Sequence, residues 1–63
     1  MLSEKLPNDL DYTLRVIADN KDEALLMANI RKLLLIGYIA NKYNGGWMVN
    51  SKGREYLKEH ITR

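Results

Sequence analysis

Residues 37–50, Gly37-Tyr38-Ile39-Ala40-Asn41-Lys42-Tyr43-Asn44-Gly45-Gly46-Trp47-Met48-Val49-Asn50, decide the fold. Two short runs rich in aromatic and branched side chains bracket Asn44-Gly45-Gly46, a turn signal strong enough to predict a β-hairpin. Two registers are open. A two-residue Asn44-Gly45 turn pairs Tyr43 with Gly46 and sets Ile39 on the face opposite to Trp47 and Val49. A three-residue loop with Gly46 in the left-handed conformation pairs Tyr43 with Trp47 and gathers Ile39, Tyr43, Trp47 and Val49 on one face, and this apolar grouping favours it. Trp47 then reads as core, while Tyr43, nearer the tip, is available to bases or to a partner.

On the N-terminal side of the hairpin, Gly37 sits where a helix ends with a left-handed residue. Upstream, Leu26, Met27, Ile30, Leu33 and Leu34 fall in one arc at 100° per residue and form the expected core face of a helix. Ala24, Leu25, Ala28 and Leu35 fall opposite, interrupted by Lys32 and flanked by Arg31. This helix is expected to start at about Lys21 from a capping box in which Asn20 and Glu23 exchange side-chain to backbone bonds. No proline or glycine breaks residues 21–36, so one continuous helix is expected. A first helix over residues 7–20 opens with Pro7, Asp9 and Asp11 and carries Leu10, Leu14 and Ile17 as its apolar stripe. Beyond the hairpin, Asn50 or Ser51 caps a third helix to about Ile61, with Tyr56, Leu57 and Ile61 inward and Lys52, Arg54 and Lys58 outward. The expected fold is a small α+β domain of order α-α-β-β-α, with residues 1–63 forming one unit.

The chain of 63 residues has no cysteine and one histidine, His60. Disulfides and thiolate sites are excluded, and with a lone histidine neither a metal site nor any cofactor is expected. A domain this small buries only about 60% of its unfolded surface, which makes self-association an aid to stability. The Leu33–Ile36 run is too short to span a membrane and residues 1–5 lack a signal-peptide layout, so a cytoplasmic location is expected. No glycine-rich phosphate loop follows a strand and no histidine, serine and carboxylate are set together, so no enzymatic activity is expected. His60 is expected at the surface or capping the last helix, favoured by its dipole.

Charge is divided unevenly. Residues 1–30 carry Lys5, Arg15 and Lys21 against six acids, a balance of −3, whereas residues 31–63 carry seven basic side chains against Glu55 and Glu59, a balance of +5. Such a split gives one surface that attracts polyanions and one that does not.

The stretch 33–60, LLLIGYIANKYNGGWMVNSKGREYLKEH, resembles the wing and last helix of winged helix-turn-helix regulators such as the MarR and PadR groups and many small phage and plasmid proteins. Gly37-Tyr38-Ile39 matches their helix end, Trp47-Met48-Val49-Asn50 their second wing strand, and Lys52-Gly53 with Tyr56-Leu57 the start of their final helix. The likeness covers a little under half the chain. Those families place about thirty residues between the first helix and the wing, whereas residues 21–36 here leave room for one helix, a minimal variant.

The resemblance implies a DNA-binding transcriptional regulator of a prokaryote or phage. Ala28, Asn29, Arg31 and Lys32 of the second helix would approach the major groove, where Arg and Asn make bidentate contacts to guanine and adenine. Asp22 and Glu23, in the expected first turn of that helix, would repel phosphate and push base reading to its C-terminal half. Lys42, Tyr43 and Asn44 of the wing and Lys52, Arg54 and Lys58 of the last helix would meet the DNA backbone. A homodimer is expected, for which Tyr12 and Val16 with Leu25 or Leu35 offer a contact. The alternative is a small adaptor or inhibitor that uses the same scaffold to bind a protein.

Overall fold

The computed structural model describes residues 4–21, 23–43 and 45–60, arranged as α1 (Asn8–Ala18), α2 (Met27–Leu35), β1 (Ile39–Asn41), β2 (Trp47–Val49) and α3 (Ser51–Glu59). This is an α+β domain of order α-α-β-β-α. Pro7, with φ −53, precedes α1, and Asp9 and Asp11 in the first turn with Arg15 in the last complement the helix dipole. Leu10 and Leu14 face the core and Ile17 packs beside them. Val16, expected on an outer face as part of a dimer contact, is buried.

Asn20 is a helix stop, not a helix start. Its φ is +59, its N–H donates to Ile17 O at 3.2 Å, and the Lys21 N–H donates to Val16 O at 3.2 Å. These are the paired bonds of a Schellman closure with Asn20 as the left-handed residue, a conformation asparagine tolerates better than most side chains. The expected capping box does not form. The Glu23 carboxylate instead accepts from the Tyr12 hydroxyl at 2.5 Å.

The described residues from Lys21 to Leu26 are therefore not helical, and α2 begins at Met27, six residues later than expected. Leu26 occupies the N-cap position without a side-chain bond to the helix. Only Ile30 and Leu33 of the expected five-residue arc are buried. Leu26 is 70% exposed and Met27 58%, with Leu34 also on the surface. Leu25, expected on the opposite side, packs against the core. A nine-residue helix has too few turns to lay all five side chains over α1, and the connector delivers Leu25 in place of the others.

At its other end α2 closes as expected. Gly37 has φ +84, its N–H donates to Leu34 O at 3.1 Å, and the Tyr38 N–H donates to Leu33 O at 3.0 Å, a second Schellman pair.

The hairpin adopts neither of the two expected registers. Ile39 pairs with Val49, Ala40 with Met48 and Asn41 with Trp47. The Lys42 N–H donates to Gly46 O at 2.8 Å and the Gly45 N–H to Lys42 O at 3.2 Å, so the loop has three residues, 43–45, and the left-handed one is Gly45, φ +94, instead of Gly46. Ile39, Trp47 and Val49 do share a face, since they sit at positions of the same parity in this pairing. Tyr43 leaves that face for the loop and is fully exposed.

Asn50 caps α3, its Oδ1 accepting from the Gly53 N–H at 3.0 Å, while its Nδ2 donates to Gly37 O and its backbone N–H to Tyr38 O at 3.1 Å. One side chain thus ties the end of α2 to the start of α3. Gly53 lets the two segments meet: a Cβ there would lie well inside the contact distance of Tyr38 O and 2.6 Å from Val49 Cγ1. Tyr56 is fully buried as expected, Leu57 is half-buried, and Ile61 lies outside the described residues. The core gathers Leu10, Leu14, Ile30, Leu33, Tyr38, Ile39, Val49 and Tyr56 from every element.

Candidate nucleic-acid interface

On α2, Ala28, Arg31 and Lys32 are exposed and, at 100° per residue, point away from the buried Ile30 and Leu33. Leu35, 85% exposed, shares that side. Asn29 is half-buried and lines a groove with Tyr12 and Leu26, between α1 and the connector. α2 has no acidic side chain in its first turn, because its late start leaves Glu23 behind in the connector. Asp22 lies outside the described residues.

Around the hairpin, Lys42 is half-buried with its Nζ 3.5 Å from Asn20 Oδ1, and Tyr43 extends from the loop. Asn44 lies outside the described residues. Lys52 is exposed but held, since its Nζ donates to Ile36 O at 3.1 Å and stands 5.6 Å from the centre of the Tyr38 ring. It satisfies a carbonyl at the C-terminus of α2, the favourable end for a cation. Arg54 and Lys58 are exposed on the solvent side of α3, one turn apart.

Two of the ten expected residues meet in one place. Lys42 and Arg54 both line a cleft of about 230 Å³ between the end of α1, the hairpin and α3, with Trp47 and Leu57 in its walls. Arg31 and Lys32 lie elsewhere, on α2. The arrangement can offer ammonium and guanidinium groups to phosphate or carboxylate oxygens, the guanidinium in bidentate fashion. Among the described residues no three His, Cys, Asp or Glu side chains gather to hold a metal ion, and no helix is long and apolar enough to cross a membrane.

A partly buried polar cluster joins α1 to α3 around Tyr56 and was not foreseen. The Tyr56 hydroxyl donates to Asp11 Oδ2 at 2.6 Å and accepts from the Leu6 N–H at 3.0 Å. Arg15 Nε donates to Asp11 Oδ1 at 2.6 Å, and Arg15 Nη2 donates to His60 O at 2.6 Å. Burial alone would raise the Asp11 pKa, but the hydrogen bonds from Arg15 and Tyr56, reinforced by the charges of Arg15 and Lys5, outweigh it and hold the carboxyl below its ordinary 3.8. Burial, then the bond to that carboxylate, pushes the Tyr56 phenol up from 10.0. The Arg15 pKa is raised chiefly by its bond to Asp11. His60, expected as a surface or capping residue, is half-buried with its ring centre 4.5 Å from that of Tyr56 and tilted 35° to it. The i,i+4 spacing of Asp11 and Arg15 was a usable sign of their pairing. The engagement of Tyr56, 45 residues from Asp11, left no such sign.

No protein-family model, curated protein or solved structure matches the chain.

Proposed function

We propose that the chain is a DNA-binding transcriptional regulator that docks on duplex DNA as a homodimer, through α2, the hairpin and the basic side of α3. The observation that carries this reading is the late start of α2. With Met27 as its first residue the helix holds no carboxylate in its first turn, and Ala28, Arg31 and Lys32 face solvent with no acidic side chain among them on the helix. Lys42 on the hairpin and Arg54 and Lys58 on α3 add cations for phosphates, while Lys52 contributes charge from a fixed position. The acidic residues Asp9 and Asp11 belong to α1, and Asp11 is neutralised there by Arg15.

Titration of random duplex DNA at two salt concentrations tests this. Binding is expected to weaken on the order of a hundred-fold between about 50 and 200 mM salt, as for roughly four phosphate contacts, and light scattering is expected to give the dimer mass. A folded protein that leaves duplex DNA unbound at low salt sinks the reading.

The adaptor reading keeps one observation of its own. Leu34, Leu35 and Ile36 stand exposed side by side at the end of α2, and exposed large aliphatic side chains close together mark protein contacts more often than DNA contacts. A dimer without DNA affinity would favour it.

A further inference from the structure

The cleft between the end of α1, the hairpin and α3 has a division of chemistry that phosphate binding does not use. Its walls are Ile17 from α1, Trp47 and Met48 from β2 and Leu57 from α3, and its polar lining includes Lys42 and Arg54. No carboxylate lines it among the described residues. A nucleic-acid backbone gains little from an indole and the five aliphatic side chains Ile17, Ala18, Met48, Val49 and Leu57, whereas an apolar side chain carried beside a carboxylate satisfies both parts of the cleft. The volume, about 230 Å³, falls below the roughly 300–1,000 Å³ of small-molecule pockets and suits one or two inserted side chains. The cleft is fixed from beneath, because Gly53 packs α3 tightly against Tyr38 and Val49 while the Schellman closure at Asn20 turns the chain away from the end of α1.

We infer that this cleft is a docking site for an acidic peptide segment of a partner protein, which seats a leucine-sized side chain against Trp47, Met48 and Leu57 and places its flanking carboxylates on Lys42 and Arg54. The inference goes beyond the DNA reading and stands without it, since no DNA takes part in the contact. Lys42 and Arg54 would serve both ligands, so bound peptide and bound duplex exclude one another at these two side chains.

The test uses the full chain and a short fluorescein-labelled peptide in which Asp and Glu flank two leucines. Two companion peptides change the leucines to serine, or the acids to Asn and Gln. The acidic leucine peptide is expected to raise the anisotropy with a Kd on the order of 10–100 μM, and to change the emission of Trp47, the single tryptophan of the chain. Each companion should bind at least about five-fold more weakly, and Arg54→Glu and Met48→Asp should each weaken the leucine peptide about five-fold or more. Both substitutions lie at surface positions, and an unchanged thermal transition confirms that the variants are folded. Equal binding of the serine peptide shows a surface that takes any polyanion, DNA included, and overturns the inference. So does binding that neither substitution disturbs, or no binding at all. A mass that rises with protein concentration and is restored to the monomer by Arg54→Glu assigns the cleft to a second copy of the chain, and also overturns it.

Discussion

The two ends of α2 are built in opposite ways. At the C-terminus Gly37 closes a Schellman pair, Lys52 reaches across to Ile36 O, and Asn50 bonds Gly37 O while capping α3. At the N-terminus Leu26 stands in the N-cap position with nothing to offer the first N–H groups, and the connector before it has no regular structure among its described residues. A side-chain cap contributes about 1 kcal/mol, and a 9-residue helix has no length with which to make up the loss by propensity. The stability of α2 is therefore loaded onto its junction with the hairpin and α3, and its first turn is the more easily opened end of the helix. In the regulator reading this weakly held turn brings only Ala28 toward the groove, and Arg31 and Lys32 follow it on the better-held part of the helix.

Substitutions on the two sides should separate sharply. The largest effect is expected at Gly53, where Ala drives a methyl group into Tyr38 O and Val49 Cγ1; a loss of about 3 kcal/mol or complete unfolding should appear in urea denaturation. A near-neutral Gly53→Ala would show that α3 can shift away and that the junction is looser than its contacts imply. Next comes Tyr56→Phe, which strips a buried hydroxyl from two half-buried partners and should cost about 1–2 kcal/mol by thermal or chemical unfolding.

That cluster also sets the response to acid. Asp11 has a folded-state pKa below its unfolded value, so its stabilisation is complete above about pH 4 and is lost as pH falls through the depressed value. Chemical unfolding followed from pH 6 to pH 2 should show this loss, and Asp11→Asn should flatten the profile. A profile unchanged by Asp11→Asn would remove Asp11 from the account.

The weaker end of α2 should respond by gaining. Leu26→Asp supplies the missing cap at a position that loses little burial, and a rise of about 0.5–1 kcal/mol in unfolding free energy is expected. The smallest effect tests the connector itself. Glu23→Ala should change stability by less than about 0.5 kcal/mol, since Glu23 makes an exposed bond to Tyr12 and none to a helix N-terminus. A loss near 1 kcal/mol would restore the capping box and the longer helix.

The misreading of Asn20 has a definite physical origin. Asparagine is favoured both as an N-cap and as a left-handed helix stop, and the pattern Asn20-Lys21-Asp22-Glu23 fits the first use without excluding the second. What decided between them was the length of α1, which ends where Val16 and Ile17 offer their carbonyls to Lys21 and Asn20. Once Asn20 turned the chain, Leu25 reached the core and Leu26 and Met27 lost their place in it. The hairpin shows a milder form of the same ambiguity. Both Gly45 and Gly46 can take positive φ, so the adjacent glycines left the loop free to sit one residue earlier, which expelled Tyr43. Of the candidate interface, the exposure of Ala28, Arg31, Lys32, Arg54 and Lys58 was legible from helical phase. The meeting of Lys42 with Arg54 and the capture of Lys52 by Ile36 O were not, because neither pair shares an element.

By itself the sequence determined the order of elements, the hairpin, the stop at Gly37, a capped start of α3 at Asn50 or Ser51 and the inward path of Leu14, Leu33, Ile39, Val49 and Tyr56. These follow from backbone preferences and from period, which act within a few residues. The tertiary structure alone decided where α2 begins, which glycine turns the hairpin, and that Tyr56, Asp11, Arg15 and Leu6 share one network. Those choices lay between local alternatives of nearly equal energy, and packing across the core supplied the difference.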